Sequence, residues 1–314
     1  MADYSLDYTI HYEGNDSCAI SFGCFDTANT VTVHELDRFQ KDPEQVLLAA
    51  RHTCLHLHEL WSFTLPESNI ARLNQPCESI EVDALTIELI ESMQQFKAIE
   101  PLFDFTIGPA SFLWKQAFIA RAVPTDAEIA EALTHVGADH IGISGQTVNK
   151  DDPLTSIDVG GAAKGFAADL LAAQLRAAGA TSADVDLGGN LYLVGNHPEG
   201  RPWRLELTVP MDIDANPGLV EVSDASAVTS GTYERFAEIG GRFFHHIIDP
   251  TTGWPAQSDI ASVTVIGSSS LQADMLATTC LIAGSAGMRD LARRHPGYRF
   301  VAITTGGYVI DVGA

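Results

Sequence analysis

The stretch "SIDVGGAAKGFAADLLAAQLRAAGA", residues 156–180, constrains the fold of this chain more than any other segment. It predicts a buried strand, a turn of adjacent glycines, and a helix whose first turn carries Lys164. Such a turn suits a phosphate group. However, a P-loop needs Ser or Thr after the lysine, where Gly165 stands, and a dinucleotide fingerprint needs GxGxxG. These residues alone leave open which phosphate, if any, the turn holds.

The charge of the chain limits its partners. Acidic residues number 41 against 18 basic ones, which gives a formal net charge of -23. This charge repels nucleic acid and anionic membranes, so we expect no nucleic-acid partner. An anionic ligand must then be held by local devices, such as backbone N–H groups, a helix N-terminus or a divalent cation.

The N-terminal sequence and the cysteines indicate a cytoplasmic protein. No Lys or Arg precedes Arg38, no apolar run is long enough for a signal peptide, and Cys18 follows Asn-Asp-Ser instead of a lipoprotein cleavage pattern. No later segment approaches 18 uninterrupted apolar residues, so we expect no membrane segment. The 5 cysteines form no CxxC pair, which suits free thiols in a reducing compartment.

The periodicity of the chain mixes strands and helices without a regular βαβ order, which predicts an α+β fold. Helices are expected over residues 43–61 and 80–96 and over "QADMLATTCLIAG". Strands are expected in "SCAISFG", in "ANTVTVHEL" and through most of the chain after Asp184, ending in a "RFVAITTGGYVIDV" hairpin. With 314 residues and 46% hydrophobic content the chain can bury a large core.

A histidine-rich segment, "RHTCLHLHEL", offers an alternative metal site. His52 and His56, or Cys54 and His58, share a helix face at the spacing of many zinc pairs. The two pairs lie on different faces, however, and a third and fourth ligand are lacking. We therefore expect histidines of an amphipathic helix here and not a zinc site.

Three motifs in the second half carry candidate chemistry. "VTSGTYERF" contains Tyr233, "FFHHIIDPTTGWPA" contains His246 and Asp249, and "ADMLATT" places Asp274 and Thr278 four residues apart on one helical face. A carboxylate and a hydroxyl so placed are oxygen ligands of the kind that Mg²⁺ prefers. Each motif also has a structural alternative, because Asp-Pro with a following Gly is common in turns and Asp near a helix start is often a cap.

Taken in order, "DVGGAAKGFAAD", "DLGGNLYLVG", "TSGTYERF", "HHIIDPTTGWP" and "ADMLATT" resemble the FAD:protein FMN transferase family, the ApbE-type flavin transferases. "FDT" at residues 25–27, in place of the more familiar Met-Gly-Thr, "WSFTLPESNIARLN" and "FDFTIGPASFLW" resemble the family's early blocks. The resemblance spans nearly the whole chain. It implies one bilobal α+β body of mixed sheets and helices over residues 1–314, related to the T-fold, with the active-site cleft between its lobes.

The resemblance also implies an activity: Mg²⁺-dependent transfer of FMN from FAD to a Thr or Ser hydroxyl of a flavoprotein acceptor, with release of AMP. The metal ligands would be Asp274, Thr278 and the Gly161 carbonyl, and the cofactor-binding residues would be Asp104, Gly160, Gly161, Lys164, Tyr233 and His246. His246 and Asp249 are the candidates for the general base. Two alternatives remain, a Mg²⁺-dependent FAD pyrophosphatase and a non-catalytic FAD-binding protein.

Overall fold

The computed structural model describes residues 7–210 and 213–313, and it contains strands from end to end. In chain order the strands are β1 (Tyr8–Glu13), β2 (Ser17–Cys24), β3 (Thr27–His34), β4 (Ser79–Glu81), β5 (Ile141–Ser144), β6 (Thr147–Lys150), β7 (Ser182–Leu187), β8 (Asn190–Gly195), β9 (Trp203–Glu206), β10 (Leu219–Val222), β11 (Ala225–Gly231), β12 (Phe236–Ile239), β13 (Arg242–His245), β14 (Ile260–Gly267), β15 (Arg299–Thr304) and β16 (Val309–Gly313).

The helices occupy the intervals between groups of strands. They are α1 (Pro43–Trp61), α2 (Asn69–Leu73), α3 (Ala84–Ile99), α4 (Gly108–Ala120), α5 (Asp126–Thr134), α6 (Ala163–Ala178) and α7 (Ser270–Arg294), with a short 3₁₀ turn at Ala138–His140. The α+β class that the sequence predicted is confirmed. Residues 1–6, part of the N-terminal segment on which the expectation of no signal peptide rests, lie outside the described residues.

One antiparallel sheet organises the chain. Its nine strands follow the order β1-β2-β3-β7-β8-β11-β14-β15-β16. The N-terminal strands and the predicted C-terminal hairpin, β15 paired with β16, therefore belong to the same sheet. The fully buried strand β14 lies inside this sheet, whereas β1 and β16 form its exposed edges. The extent of the single domain over residues 1–314 stays a prediction.

The largest hydrophobic cluster lies between the sheet and helices α1, α3, α6 and α7. A second cluster joins α4 and α5 to the β12–β13 hairpin around Trp114 and Phe244. A third lies under the β9–β10 hairpin, where Trp203 and Val220 pack on Leu193 of β8 and Ala227 of β11. Both faces of the large sheet are thus covered.

Two of the predicted helices differ from the sequence expectation at one end. The segment before α3 was predicted as helix from residue 80, but Ser79–Glu81 pairs with β6 as β4, and Asp83 caps the helix by accepting from the Leu85 N–H (2.8 Å). Helix α7 was predicted to end at Gly284. The chain bends there, with φ 67° and ψ -178°, and a further helical segment continues to Arg294.

The cysteines have the free-thiol state that the sequence predicts. All five cysteines are free thiols, and four of them are buried. Within residues 7–210 and 213–313, no helix combines the length and the apolar character needed to cross a lipid bilayer.

Candidate functional site

The glycine turn before α6 is held by two neighbouring segments. The side-chain amide of Asn74 donates to the Ile157 carbonyl (2.9 Å) and accepts from the Ile157 N–H (2.7 Å). The Asp158 N–H donates to the Phe105 carbonyl (2.7 Å), and the Asp158 carboxylate accepts from the Gly160 N–H (2.9 Å). These contacts fix the path of the backbone that leads into the turn.

Helix α6 receives no cap from its own N-cap residue, Ala162, whose side chain carries no acceptor. The Ala163 N–H donates to the Val159 carbonyl (2.9 Å). The positive end of the helix dipole at this point favours an anion. The ammonium of Lys164, in the first turn of α6, donates to the Gly188 carbonyl (3.2 Å). Gly188 belongs to the glycine turn of the motif "DLGGNLYLVG", so the lysine side chain links the two glycine turns.

Asp274 on α7 lies against the start of α6. Its Oδ2 accepts from the Gly165 N–H (3.0 Å) and, at 3.5 Å, from the Asn190 side-chain amide. Only 4% of the residue is exposed. Burial raises the pKa of this carboxyl to about 6, and the positive charge of Lys164 opposes the increase. In the described residues all hydrogen bonds to this carboxylate go to Oδ2, which leaves Oδ1 for a ligand.

Two glycines lie close against α7. A methyl group on Gly161 would lie 2.7 Å from the Thr278 Oγ1, and one on Gly165 would lie 2.5 Å from the Ser270 carbonyl oxygen and 2.7 Å from the Leu271 Cα. At Gly165 the neighbours are backbone atoms that cannot rotate away, so this position requires glycine. The turn is thereby placed directly against the hydroxyl of Thr278.

The chemistry of these residues fits a hard divalent cation. Asp274 and Thr278 supply a carboxylate and a hydroxyl one helical turn apart on α7, and Gly161 lies against the Thr278 hydroxyl. These oxygens are of the kind that Mg²⁺ prefers, and water or phosphate oxygens would complete its coordination. Across the described ranges, no three His, Cys, Asp or Glu side chains are grouped so that they could hold a metal, and this includes the histidines of α1. The Asp274 site has a single such side chain and draws on neutral oxygens.

His246 follows β13 and is also near the glycine turn. Its ring Nδ1 lies 3.1 Å from the Arg235 carbonyl oxygen, which can only accept, so Nδ1 carries the proton and Nε2 presents a lone pair. Burial lowers the pKa of this imidazole to about 4, and the negative charge of Asp158 opposes the decrease. The ring is therefore neutral at pH 7.

Comparison with known proteins identifies the family of the chain. Residues 25–302 match the model of the ApbE family. The chain belongs to the ApbE family. The FAD:protein FMN transferase of Vibrio cholerae is 34% identical over 224 residues, which cover 69% of this chain and 67% of that protein. The transferase of the same name from Treponema pallidum is 36% identical over 256 residues, covering 74% and 69% of the two chains.

A solved structure agrees. The flavin transferase ApbE from Vibrio cholerae superposes with a TM-score of 0.81, at 25% identity, over 95% of this chain and 97% of that one. All the candidate site residues of this ApbE-family chain lie inside the matched residues 25–302. Their individual roles stay predictions.

Two of the aspartates predicted for the site already have partners within turns. The Asp249 Oδ1 accepts from the N–H (2.8 Å) and the hydroxyl (2.7 Å) of Thr251, which is the turn alternative kept open above. The Asp104 carboxylate, 5% exposed, pairs with the Lys97 ammonium (2.9 Å) and accepts from the N–H and hydroxyl of Thr106. Their predicted roles in cofactor binding and catalysis stay predictions.

The TSGTYERF motif contributes two neighbouring side chains. The ring of Tyr233 packs on Gly231, where an added methyl group would lie 2.3 Å from the Tyr233 Cε1. Burial raises the pKa of the Glu234 carboxyl, and the Lys164 charge opposes this. The negative charge of Glu234 also raises the pKa of Asp274, and the charge of Lys164 opposes the increase for both carboxyls.

The sequence reasoning missed two residues that touch the site. Asn190, which is fully buried, links the Asp274 Oδ2 to the Ser270 hydroxyl, from which its Oδ1 accepts at 2.6 Å. Asp169 of α6 accepts from the N-terminus of α7. Both residues stand inside quoted motifs, "DLGGNLYLVG" and "DVGGAAKGFAAD", but their partners lie far along the chain, so spacing alone gave no signal.

Proposed function

We propose that this chain transfers the FMN half of FAD to a Ser or Thr hydroxyl of a flavoprotein acceptor, releases AMP, and requires Mg²⁺. One observation carries the proposal. The start of α6, with Lys164, lies against the Asp274 carboxylate of α7, and the glycine turn that precedes α6 lies against the Thr278 hydroxyl. This arrangement offers a diphosphate both an anion-binding helix end and a cation site. The relatives with the printed name FAD:protein FMN transferase support it.

The start of α6 would bind the diphosphate of FAD. The positive end of the α6 dipole and the ammonium of Lys164 supply positive charge in a chain whose net charge is -23. Because Gly160 and Gly161 have no side chains, phosphate oxygens can approach their backbone closely.

Asp274, Thr278 and the Gly161 carbonyl would hold the magnesium ion. When bound, Mg²⁺ would neutralise diphosphate charge and make the attacked phosphorus more electrophilic. Asp274 is suited to this role because its Oδ2 is already fixed by the Gly165 N–H. Thr278 adds a neutral oxygen one helical turn further along the same face.

His246 is the best candidate for the general base. Its Nε2 lone pair would accept the proton of the acceptor hydroxyl as that oxygen forms its bond to the FMN phosphorus. The bond from that phosphorus to the AMP phosphate oxygen breaks, and AMP leaves with the electron pair. Bound diphosphate, which is anionic, would raise the pKa of His246 from about 4 toward the working pH.

The acceptor would be a flavoprotein with a reactive Ser or Thr. The free cysteines of the transferase suit a reducing compartment such as the cytoplasm. A neutral oxygen nucleophile needs both a base and exclusion of competing water, and His246 supplies the first.

The experiment compares two adjacent histidines. The chain is incubated with FAD, Mg²⁺ and an acceptor domain that the Vibrio cholerae transferase flavinylates, and covalent flavin is read as fluorescence after denaturing electrophoresis. His246→Gln should lose about 100-fold or more of the transfer rate. The matched control is His245→Gln, because the side chain has no assigned role: its Nε2 lies 2.8 Å from the Ala256 carbonyl oxygen, and its Nδ1 accepts from the Ile247 N–H (3.3 Å). Wild-type transfer by His246→Gln would remove this residue as the base, and no transfer by the unaltered chain would contradict the function.

A further inference from the structure

Helices α6 and α7 each supply a carboxylate that accepts hydrogen bonds from the N-terminus of the other helix. The Asp169 carboxylate of α6 accepts from the Ser270 N–H (2.7 Å), the Leu271 N–H (3.0 Å) and the Ser269 hydroxyl (2.9 Å), all at the start of α7. In return, the Asp274 carboxylate of α7 accepts from the Gly165 N–H at the start of α6. Each helix therefore caps the other.

The spacing along the two helices matches. On α6, Gly165 and Asp169 are four residues apart, and on α7 the same separation joins Ser270 and Asp274. Residues four apart lie on one helical face. The Gly165 N–H of α6 therefore meets the Asp274 carboxylate of α7, and the Asp169 carboxylate of α6 meets the Ser270 N–H of α7. The close contact of Gly165 with the Ser270 carbonyl lies between the two pairs. The contact thus fixes the position of one helix along the other as well as the distance between them.

Only one of the two carboxylates belongs to the proposed metal site. Asp274 keeps its Oδ1 for a ligand, whereas both oxygens of Asp169 are used by α7. Ser269, the N-cap of α7, makes a long contact of 3.3 Å to the Gln272 N–H, so much of the capping of this helix comes from the neighbouring one.

We propose that Asp169 is a positioning residue for the metal site: it holds the N-terminus of α7 so that Asp274 and Thr278 face Lys164 and Gly161. The proposal rests on the proposed function, because it assumes that Asp274 binds the cation. Loss of the cap would let the first turns of α7 shift relative to α6, and the Asp274 Oδ1 would move away from the glycine turn. Partners that orient a metal ligand typically affect metal affinity or activity by about 10- to 100-fold.

The test uses two Asp→Asn variants, each of which removes a carboxylate that accepts from α7. Asp169→Asn keeps the shape of the side chain but replaces one acceptor oxygen by an NH₂ group that faces an N–H donor. The matched control is Asp259→Asn. Asp259 caps the part of α7 beyond the Gly284 bend by accepting from the N–H (2.9 Å) and the hydroxyl of Ser285. Both variants remove a carboxylate cap, but only the first lies beside Asp274.

Binding of Mn²⁺ to the FAD-bound protein is measured by electron paramagnetic resonance, and thermal unfolding is measured alongside. Asp169→Asn should weaken Mn²⁺ binding about 10-fold or more, with FAD binding in EDTA unchanged, whereas Asp259→Asn should leave both at wild-type values. Equal Mn²⁺ affinity in the two variants would overturn the proposal. If Asp169→Asn does not fold, Ser269→Ala removes one of the three donors, and it should weaken Mn²⁺ binding by a smaller factor. Wild-type Mn²⁺ affinity in Ser269→Ala would then overturn it.

Asp274→Ala separates this inference from the proposed function. If Asp274→Ala binds Mn²⁺ as tightly as wild type, the placement of the metal is wrong and both proposals fall together. If Asp274→Ala abolishes Mn²⁺ binding while Asp169→Asn behaves like Asp259→Asn, only the positioning role of Asp169 is wrong.

Discussion

Replacing Gly165 by alanine tests the contact between α6 and α7 on which the site depends. The added methyl group would lie 2.5 Å from the Ser270 carbonyl oxygen, 2.7 Å from the Leu271 Cα and 2.8 Å from the Leu271 nitrogen. All three are backbone atoms within a helix, so no side chain can rotate away. The two helices must separate, or the turn must shift.

The cost can be worked from two opposing effects. Overfilling a packed contact costs about 1–3 kcal/mol, and three backbone contacts place this site at the upper end. Alanine gains about 1 kcal/mol over glycine in a helix. The net loss of stability is then about 2 kcal/mol, which for a chain of this size lowers the Tm by about 3 °C.

The effect on activity should exceed the effect on stability. A displacement that lengthens the 3.0 Å contact from the Gly165 N–H to the Asp274 Oδ2 moves the proposed metal ligand, and misplacement by about 1 Å can cost about 100-fold in rate. Thermal unfolding and AMP release from FAD in saturating Mg²⁺ are the two assays. Gly297→Ala is the control, because no atom lies within 4 Å of its added methyl group. A Gly165→Ala protein with wild-type Tm and turnover would refute the packing argument.

Three further outcomes are expected. Asp274→Ala should abolish FMN transfer while FAD binding stays measurable, whereas Thr278→Ala should be milder and partly rescued by raised Mg²⁺ or Mn²⁺, since water can replace a neutral oxygen but not a buried carboxylate. Wild-type turnover by Asp274→Ala would place the metal elsewhere. Calorimetry should show much tighter binding of FAD than of FMN, which lacks the diphosphate bridge, and equal affinities would count against the anion site. Because burial lowers the pKa of His246 to about 4, the free enzyme keeps this base deprotonated throughout pH 5–8, so kcat/KM should show no His246 inflection near its ordinary pKa of about 6.5. An inflection there that disappears in His246→Gln would contradict the burial argument.

Local signals predicted the elements whose ends are set locally. Helix α1 has the predicted bounds, Pro43–Trp61, because the Asp42 cap and the proline at its start are written in the sequence. The start of α3 was misplaced because Ser79–Glu81 pairs with β6, some 70 residues later along the chain. The part of α7 beyond Gly284 is capped by Asp259, which lies just before β14 and accepts from the Ser285 N–H. This contact joins residues 26 positions apart, so no local pattern shows it.

Some residues of the site could likewise be predicted from local sequence patterns, and others could not. Asp274 and Thr278 could be paired from their helical spacing. Asp104 and Asp249, whose roles in the pocket and in catalysis stay predictions, are each followed two positions later by a threonine whose N–H and hydroxyl donate to the carboxylate. The Asp-x-Thr pattern was visible and favours a turn. Asp169 could not be predicted, since its donors stand about 100 residues away and only the folded contact between α6 and α7 brings them together.

The central claim is that a protein hydroxyl, and not water, receives the FMN group. The most direct test measures, in one reaction with FAD, Mg²⁺ and the acceptor domain, the intact mass of the acceptor and the amount of AMP released. The account predicts that each acceptor gains one FMN less one water, in an amount equal to the AMP, and that replacing the modified Ser or Thr by alanine abolishes the gain. Release of AMP together with free FMN, from an acceptor whose mass does not change, would contradict it.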